Sequence, residues 1–130
     1  MKTTVGIDAI CGQVLGTAAQ PAAFNFMAVT ASAVAPAAAD TTLAGEIATA
    51  GGGLIRAQAT YAHTAGTATA TLTKAFTANG TDTLPVTINK IGVLNATAVG
   101  TLGFETALTA GPTLQVSGDS VTVTDTLTVG

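Results

Sequence analysis

The sequence is poor in charged residues, and this scarcity excludes several classes of partner. Only 8% of its 130 residues are Asp, Glu, Lys or Arg, against roughly 25% in a typical soluble domain. The four basic residues are scattered along the chain, and the formal net charge is -3. Because they cannot be assembled into a basic stripe for phosphates, we expect no nucleic-acid partner.

Cysteine, histidine and aromatic residues are equally scarce. The single cysteine, Cys11, excludes an intrachain disulfide. There is one histidine, His63, and no cluster of metal-ligating residues accompanies it, so we predict no enzyme, no cofactor and no metal site. The chain has no Trp and one Tyr, which weighs against a carbohydrate-binding β-sandwich module, since sugar faces need stacking platforms.

Long apolar runs are also missing, although the mean hydropathy is +0.55. No stretch of about 18 unbroken apolar residues occurs, so we expect no membrane span. The first residues contain no continuous apolar core, so no signal peptide is expected. What is abundant is Ala and Thr, each about a fifth of the chain, which favours a weakly charged protein packed among many neighbours.

Alternating patterns indicate β-structure over most of the chain. From Val121 to Val129 apolar residues alternate with threonines, which is typical of a half-buried strand. Residues 54–64 and 67–78, separated by Ala65-Gly66, predict a hairpin. Further strands are predicted at 23–30, 84–95 and 101–109. In the 84–95 strand the apolar face switches, which predicts a bulge or burial on both sides.

These patterns predict a mainly β protein, an antiparallel β-sandwich or barrel of about six strands with one or two short N-terminal helices. We divide it into an N-terminal arm or short helix at 1–22 and a single β-sandwich domain at 23–130. Residues 40–47 predict one or two helical turns, with Asp40 as N-cap. Gly51-Gly52-Gly53 is expected to be a flexible break, and it lacks the Lys and hydroxyl of a phosphate-binding loop.

Five charged residues are candidates for pairing or for an interface. Lys74, Lys90 and Asp125 fall where the alternation predicts inward or half-inward side chains. One interpretation is that these positions are strand ends, bulges or charges that prevent edge-to-edge pairing. The other is that they form a charged pair. The pair hypothesis joins Asp125 to Lys74 or Lys90. Arg56 is expected to pair with Glu46 or with a neighbouring subunit, as arginines do at interfaces.

Several segments resemble small structural proteins of tailed bacteriophages. The likeness begins with FMAVT at 26–30 and an APAAADTTLAGEI segment at 35–47, followed by the glycine run and Arg56. It continues through TYAHTAGT at 60–67, KIGVLNA at 90–96 and TLGFET at 101–106. It ends with DSVTVTDTLTV at 119–129. The likeness covers most of the chain after Phe24, and its motifs are structural rather than catalytic.

The resemblance implies a virion component, and we expect a capsid decoration or cement protein that stabilises the major capsid protein shell. A tail or fibre-associated structural protein is the alternative within virions, and the carbohydrate-binding module is the alternative of another class. The expected location is the virion, on the capsid surface or alternatively the tail. The expected partners are the major capsid protein and further copies of this chain, as a dimer or trimer.

Overall fold

The computed structural model describes residues 1–7, 11 and 22–129. Over these ranges the chain forms nine strands and a short N-terminal helical stretch at residues 4–7. The strands are β1 (Phe26–Thr30), β2 (Ala57–Gln58), β3 (Thr60–His63), β4 (Thr69–Thr77), β5 (Val86–Thr87), β6 (Lys90–Leu94), β7 (Leu102–Ala107), β8 (Thr113–Leu114) and β9 (Ser120–Thr128). The six longer strands lie where the alternation predicted strands.

Two antiparallel sheets pack face to face, which confirms the predicted β-sandwich. One sheet has the order β2-β1-β6-β7 and the other the order β3-β4-β9, while β5 and β8 form a separate pair. Apolar side chains from both large sheets share one core, among them Met27 and Val29 of β1, Phe76 of β4 and Val123 of β9. The chain changes sheets at Ala59, between β2 and β3, so the predicted strand at 54–64 is divided.

Strand β6 is buried along its whole length, as the face switch in its sequence predicted. Ile91 and Val93 point into the core between the sheets. Gly92 and Leu94 lie on the opposite face, where Leu43 packs against them. The pairing of β6 with β7 also has a register shift between Val93 and Leu94, and the strand predicted at 84–95 is divided, because Ile88 and Asn89 separate β5 from β6. A strand with both faces covered needs a third layer, and residues 31–47 supply it.

That covering segment, residues 31–47, contains no helix, so the helical turns predicted at 40–47 are wrong. Gly45 has a φ of 65°, which a right-handed helix does not accommodate. The segment is instead tied to β1, because the Ile47 amide donates to the Val29 carbonyl at 3.0 Å. The Asp40 carboxylate accepts from the preceding Ala37 amide at 2.9 Å and closes a turn rather than capping a helix.

The N-terminus extends the four-stranded sheet at its β7 edge. The Thr3 amide donates to the Gly103 carbonyl and the Glu105 amide donates to the Met1 carbonyl, both at 3.0 Å. Thr3 Oγ1 then accepts from the Gly6 amide at 3.0 Å and caps the helical stretch. Of the arm or helix predicted at 1–22, the first three residues run alongside β7 and residues 4–7 are helical, and most of the remainder lies outside the described residues.

The glycine run at 51–53 is a packed turn rather than the flexible break expected from its composition. The Asp82 carboxylate accepts hydrogen bonds from the amides of Gly53 at 2.9 Å and Asn79 at 2.8 Å. A Cβ on Gly53 would lie 1.7 Å from the Thr77 carbonyl oxygen. Two amides of the run are thus bonded within the fold, that of Gly53 to the Asp82 carboxylate and that of Gly52 to the Thr49 carbonyl, each at 2.9 Å.

Replacing Gly53 with Ala should destabilise the fold by about 2 kcal/mol or more, because the turn must move away from β4. Gly80→Ala is the matched control, since a Cβ there meets nothing within 4 Å. We expect that control to stay within about 0.5 kcal/mol of wild type. Denaturant unfolding measures both, and equal stability of the two variants would contradict the close packing at Gly53.

Candidate functional site

The five charged residues predicted as candidates fall into three separate places. Glu46 and Arg56 meet at one corner of the sandwich, Lys90 lies beneath residues 31–47, and Lys74 and Asp125 lie on the β4–β9 ribbon. Only the pairing of Arg56 with Glu46 agrees with a predicted contact.

Arg56 holds together three segments at its corner. Its Nε donates to Glu46 Oε1 at 2.8 Å, and its Nη2 donates to Glu46 Oε2. Its Nη1 donates to the carbonyls of Ala96 at 3.1 Å and Val99 at 2.6 Å. The side chains of Arg56 and Glu46 are 10% and 17% exposed. This two-pronged geometry is specific to arginine and positions a loop rather than performing chemistry.

The loop held by Arg56 carries backbone strain at its tip. Val99 has a φ of 56° and is 88% exposed, and a β-branched residue in that region is strained. A cavity of about 350 Å³ lies between this tip and residues 46–50. Its lining includes Arg56 and Glu46, whose charged groups are already paired with each other.

Lys90 forms a buried ion pair with Glu105, a residue that the sequence patterns did not single out. Lys90 Nζ lies 2.9 Å from Glu105 Oε2, and the side chains are 1% and 0% exposed. The predicted partnership of Lys90 with Asp125 is therefore wrong. A signal was present in the sequence, because Lys90 and Glu105 are opposite charges inside two consecutive predicted strands.

Asp125 and Lys74 do not form the predicted pair. In the β4–β9 register Asp125 lies opposite Leu72, and Lys74 lies opposite Val123. Lys74 Nζ instead lies 6.0 Å from the centre of the Phe76 ring. Burial raises the pKa of the Asp125 carboxyl above its usual 3.8, and the Met1 ammonium and the Thr126 amide only partly oppose that rise.

The outer side of the three-stranded sheet carries no charged side chain, and we call it the threonine face. It comprises Thr60 and Ala62 of β3, the odd-numbered residues 69–77 of β4 and the even-numbered residues 120–128 of β9. All but Ala62, Ala75 and Ser120 are threonines. Cross-strand pairs such as Thr73 and Thr124, whose hydroxyls are 3.3 Å apart, place the threonines in regular rows.

His63 and Cys11 lie apart from the charged pairs and from the threonine face. His63 Nδ1 lies 2.9 Å from the Thr69 carbonyl oxygen, within an exposed hairpin end. Cys11 is exposed and unbonded to another cysteine. Within residues 1–7, 11 and 22–129, no group of three or more His, Cys, Asp or Glu side chains could hold a metal ion. In that same part of the chain, no helix has both the length and the apolar character needed to cross a membrane.

No protein-family model matches this chain, and no curated protein is significantly similar to it.

Replacing Asp125 with Asn should stabilise the fold at about pH 7, because the amide carries no charge to desolvate. The folded-state pKa of Asp125 is raised, so the wild-type carboxyl protonates in the folded state as the pH falls. The stability advantage of Asp125→Asn over wild type should therefore decrease as the pH falls through the raised pKa, and it should vanish below pH 3.8, the ordinary pKa of Asp. Denaturant midpoints over this pH range measure the effect.

Asp119→Asn is the matched control, and it should behave in the opposite way. The amides of Val116 and Gln115 donate to the Asp119 carboxylate and lower its pKa. The control should lose stability at about pH 7, and this loss should fade as the pH falls through the lowered pKa. A destabilised Asp125→Asn variant would restore the charged-pair hypothesis that the contacts contradict.

Proposed function

We propose that this chain is a structural protein of a tailed-bacteriophage virion, a decoration or cement protein that binds and stabilises the major capsid protein shell. The segments that resemble such proteins form the framework here. They include β1, β3 and the turn after it, β6, most of β7, and β9. Because these motifs form strands of the sandwich and not a catalytic site, they support a role in assembly.

The observation that carries the proposal is the threonine face. Strand β9 has nine residues, so the face extends for about 30 Å. Ten of its side chains are exposed and the other two are half-buried. Because it holds hydroxyls and methyl groups but no charge, covering it requires no ion to be desolvated. Depletion of charged residues is typical of the centre of a protein interface.

In the proposed function, stabilisation of the shell comes from many repeated contacts rather than from tight binding of each copy. A shell presents the same surface many times, and each bound copy stabilises the state that it binds. If copies also associate as a dimer or trimer, the linked contacts add avidity. Low net charge reduces repulsion between copies crowded on one surface. The exposed Val99 loop at the Arg56 corner offers an apolar contact between neighbouring copies.

Gold-conjugated antibody against the purified chain, applied to intact virions, tests the location. We expect gold over the whole head, with hundreds of copies per particle estimated by quantitative mass spectrometry. Gold confined to the tail or its tip would replace the cement function with the tail-associated one. Absence of the chain from purified virions would overturn the proposal, and glycan binding by the purified protein would then support the carbohydrate-binding alternative.

The double variant Thr124→Lys, Thr126→Lys should lose at least about tenfold in affinity for decoration-free capsids, because two ammonium groups would have to be desolvated in the contact. Both residues are exposed on the threonine face, so the fold should survive. Cosedimentation with capsids measures binding, and circular dichroism checks folding.

The control for that variant is Thr41→Lys, Thr42→Lys, two exposed threonines in the covering segment and away from the threonine face. It adds the same charge and should bind as wild type does. Equal losses in both double variants would indicate a general charge effect and contradict a contact through this face.

A further inference from the structure

Lys90 and Glu105 are unusual even for a buried ion pair. Although Lys90 Nζ and Glu105 Oε2 lie 2.9 Å apart, their contact lacks the angles of a hydrogen bond. Neither atom has another hydrogen-bond partner among the described residues. A buried ammonium normally satisfies its protons with several acceptors, so this arrangement is costly as an ion pair.

A second carboxyl group lies beside the pair. The Ala37 amide donates both to Glu105 Oε1, at 3.2 Å, and to Asp40 Oδ2, at 2.9 Å, which brings the two carboxyl groups together. A hydrogen bond with Glu105 is the main cause that lowers the pKa of Asp40. Asp40 is only half-buried, whereas Lys90 and Glu105 are sealed beneath residues 31–47. The cluster therefore has one member that exchanges protons with solvent.

From this geometry we propose that Lys90 and Glu105 condense into an intramolecular amide, with Asp40 as the proton carrier. Lys90 Nζ first passes one proton to Glu105 Oε2, which neutralises the ion pair and frees the nitrogen lone pair. The neutral amine then attacks the Glu105 carboxyl carbon and forms a C–N bond. Asp40 takes a second proton from the nitrogen and delivers it to the protonated carboxyl oxygen, the C–O bond breaks, and that oxygen leaves as water. The ion pair has the same atoms and net charge as the amide plus water, so no co-reactant is needed.

The fold supplies the conditions that such a condensation requires. Strands β6 and β7 are paired, with Gly92 opposite Glu105 and Lys90 opposite Ala107, so the two reacting side chains are held on one face. Fixed proximity of this kind replaces a bimolecular encounter. Exclusion of water disfavours two separated charges and favours the neutral amide. The product would link β6 covalently to β7, whatever the protein binds.

The intact mass of the purified, folded full chain tests the proposal directly. We expect a mass lower by one water than the sequence requires, with the N-terminal methionine accounted for. Trypsin gives a second readout, because Lys90 is the only basic residue after Lys74. An amide at Lys90 blocks that cut, so residues 75–130 should appear as one peptide lacking a water. The full sequence mass together with separate peptides 75–90 and 91–130 would overturn the proposal.

Three variants separate the roles of the residues. Lys90→Met should abolish the water loss, whereas Lys74→Met, the matched control on β4, should keep it. Asp40→Asn retains both reacting groups, and we expect the amide to form about 100-fold more slowly, as for loss of general acid–base catalysis. Formation at the wild-type rate in Asp40→Asn would overturn the role of Asp40. Water loss that persists in Lys90→Met would overturn the assignment of the bond.

Discussion

The need to cover both faces of strand β6 is the constraint on which the rest of this structure depends. One face of β6 packs into the core between the sheets, and the other lies beneath residues 31–47. That covering layer is irregular, and it is fastened by Thr30 Oγ1, which donates to the carbonyls of Ala44 and Gly45. Lys90 and Glu105 are buried under it. A buried ion pair, which is costly to desolvate, thus lies beneath an irregular layer rather than beneath a helix or a sheet.

The two sheets have different roles: one is covered on both sides, and the other leaves one face exposed to solvent. The four-stranded sheet is enclosed, with the sandwich partner on one side and residues 31–47 on the other. The three-stranded sheet contributes apolar side chains such as Phe76 and Val123 to the core and leaves its threonine face exposed. Threonine suits this division because its branched Cβ favours the strand while its hydroxyl remains compatible with water. The proposed function in the shell uses the sheet that the core leaves open.

The positions of the strands were predictable because alternation reports on each residue's immediate surroundings. The alternation of Val121 and Val123 with threonines predicted the two faces of β9. In β6, the positions of Ile91 and Val93 on the second face indicated burial on both sides. The helical turns were predicted at 40–47 because Leu43 and Ile47 have helical spacing behind Asp40. That prediction was wrong because the Ile47 amide is instead bonded to the Val29 carbonyl of β1. The prediction of a flexible break at 51–53 was also wrong, because the carboxylate of Asp82, which is distant in sequence, orders the glycine run.

By itself, the sequence determined the β class, the positions of the longer strands and the low charge, because these depend on local pattern and composition. For Arg56 it left open whether the partner is Glu46 or a neighbouring subunit. Only the tertiary structure decided that Lys90 meets Glu105, that Asp125 lies opposite Leu72, and that threonines from β4 and β9 form one face. Side-chain partnership across strands depends on register and on which layer covers each face. Both are set by packing between segments far apart in the chain, and no local pattern encodes them.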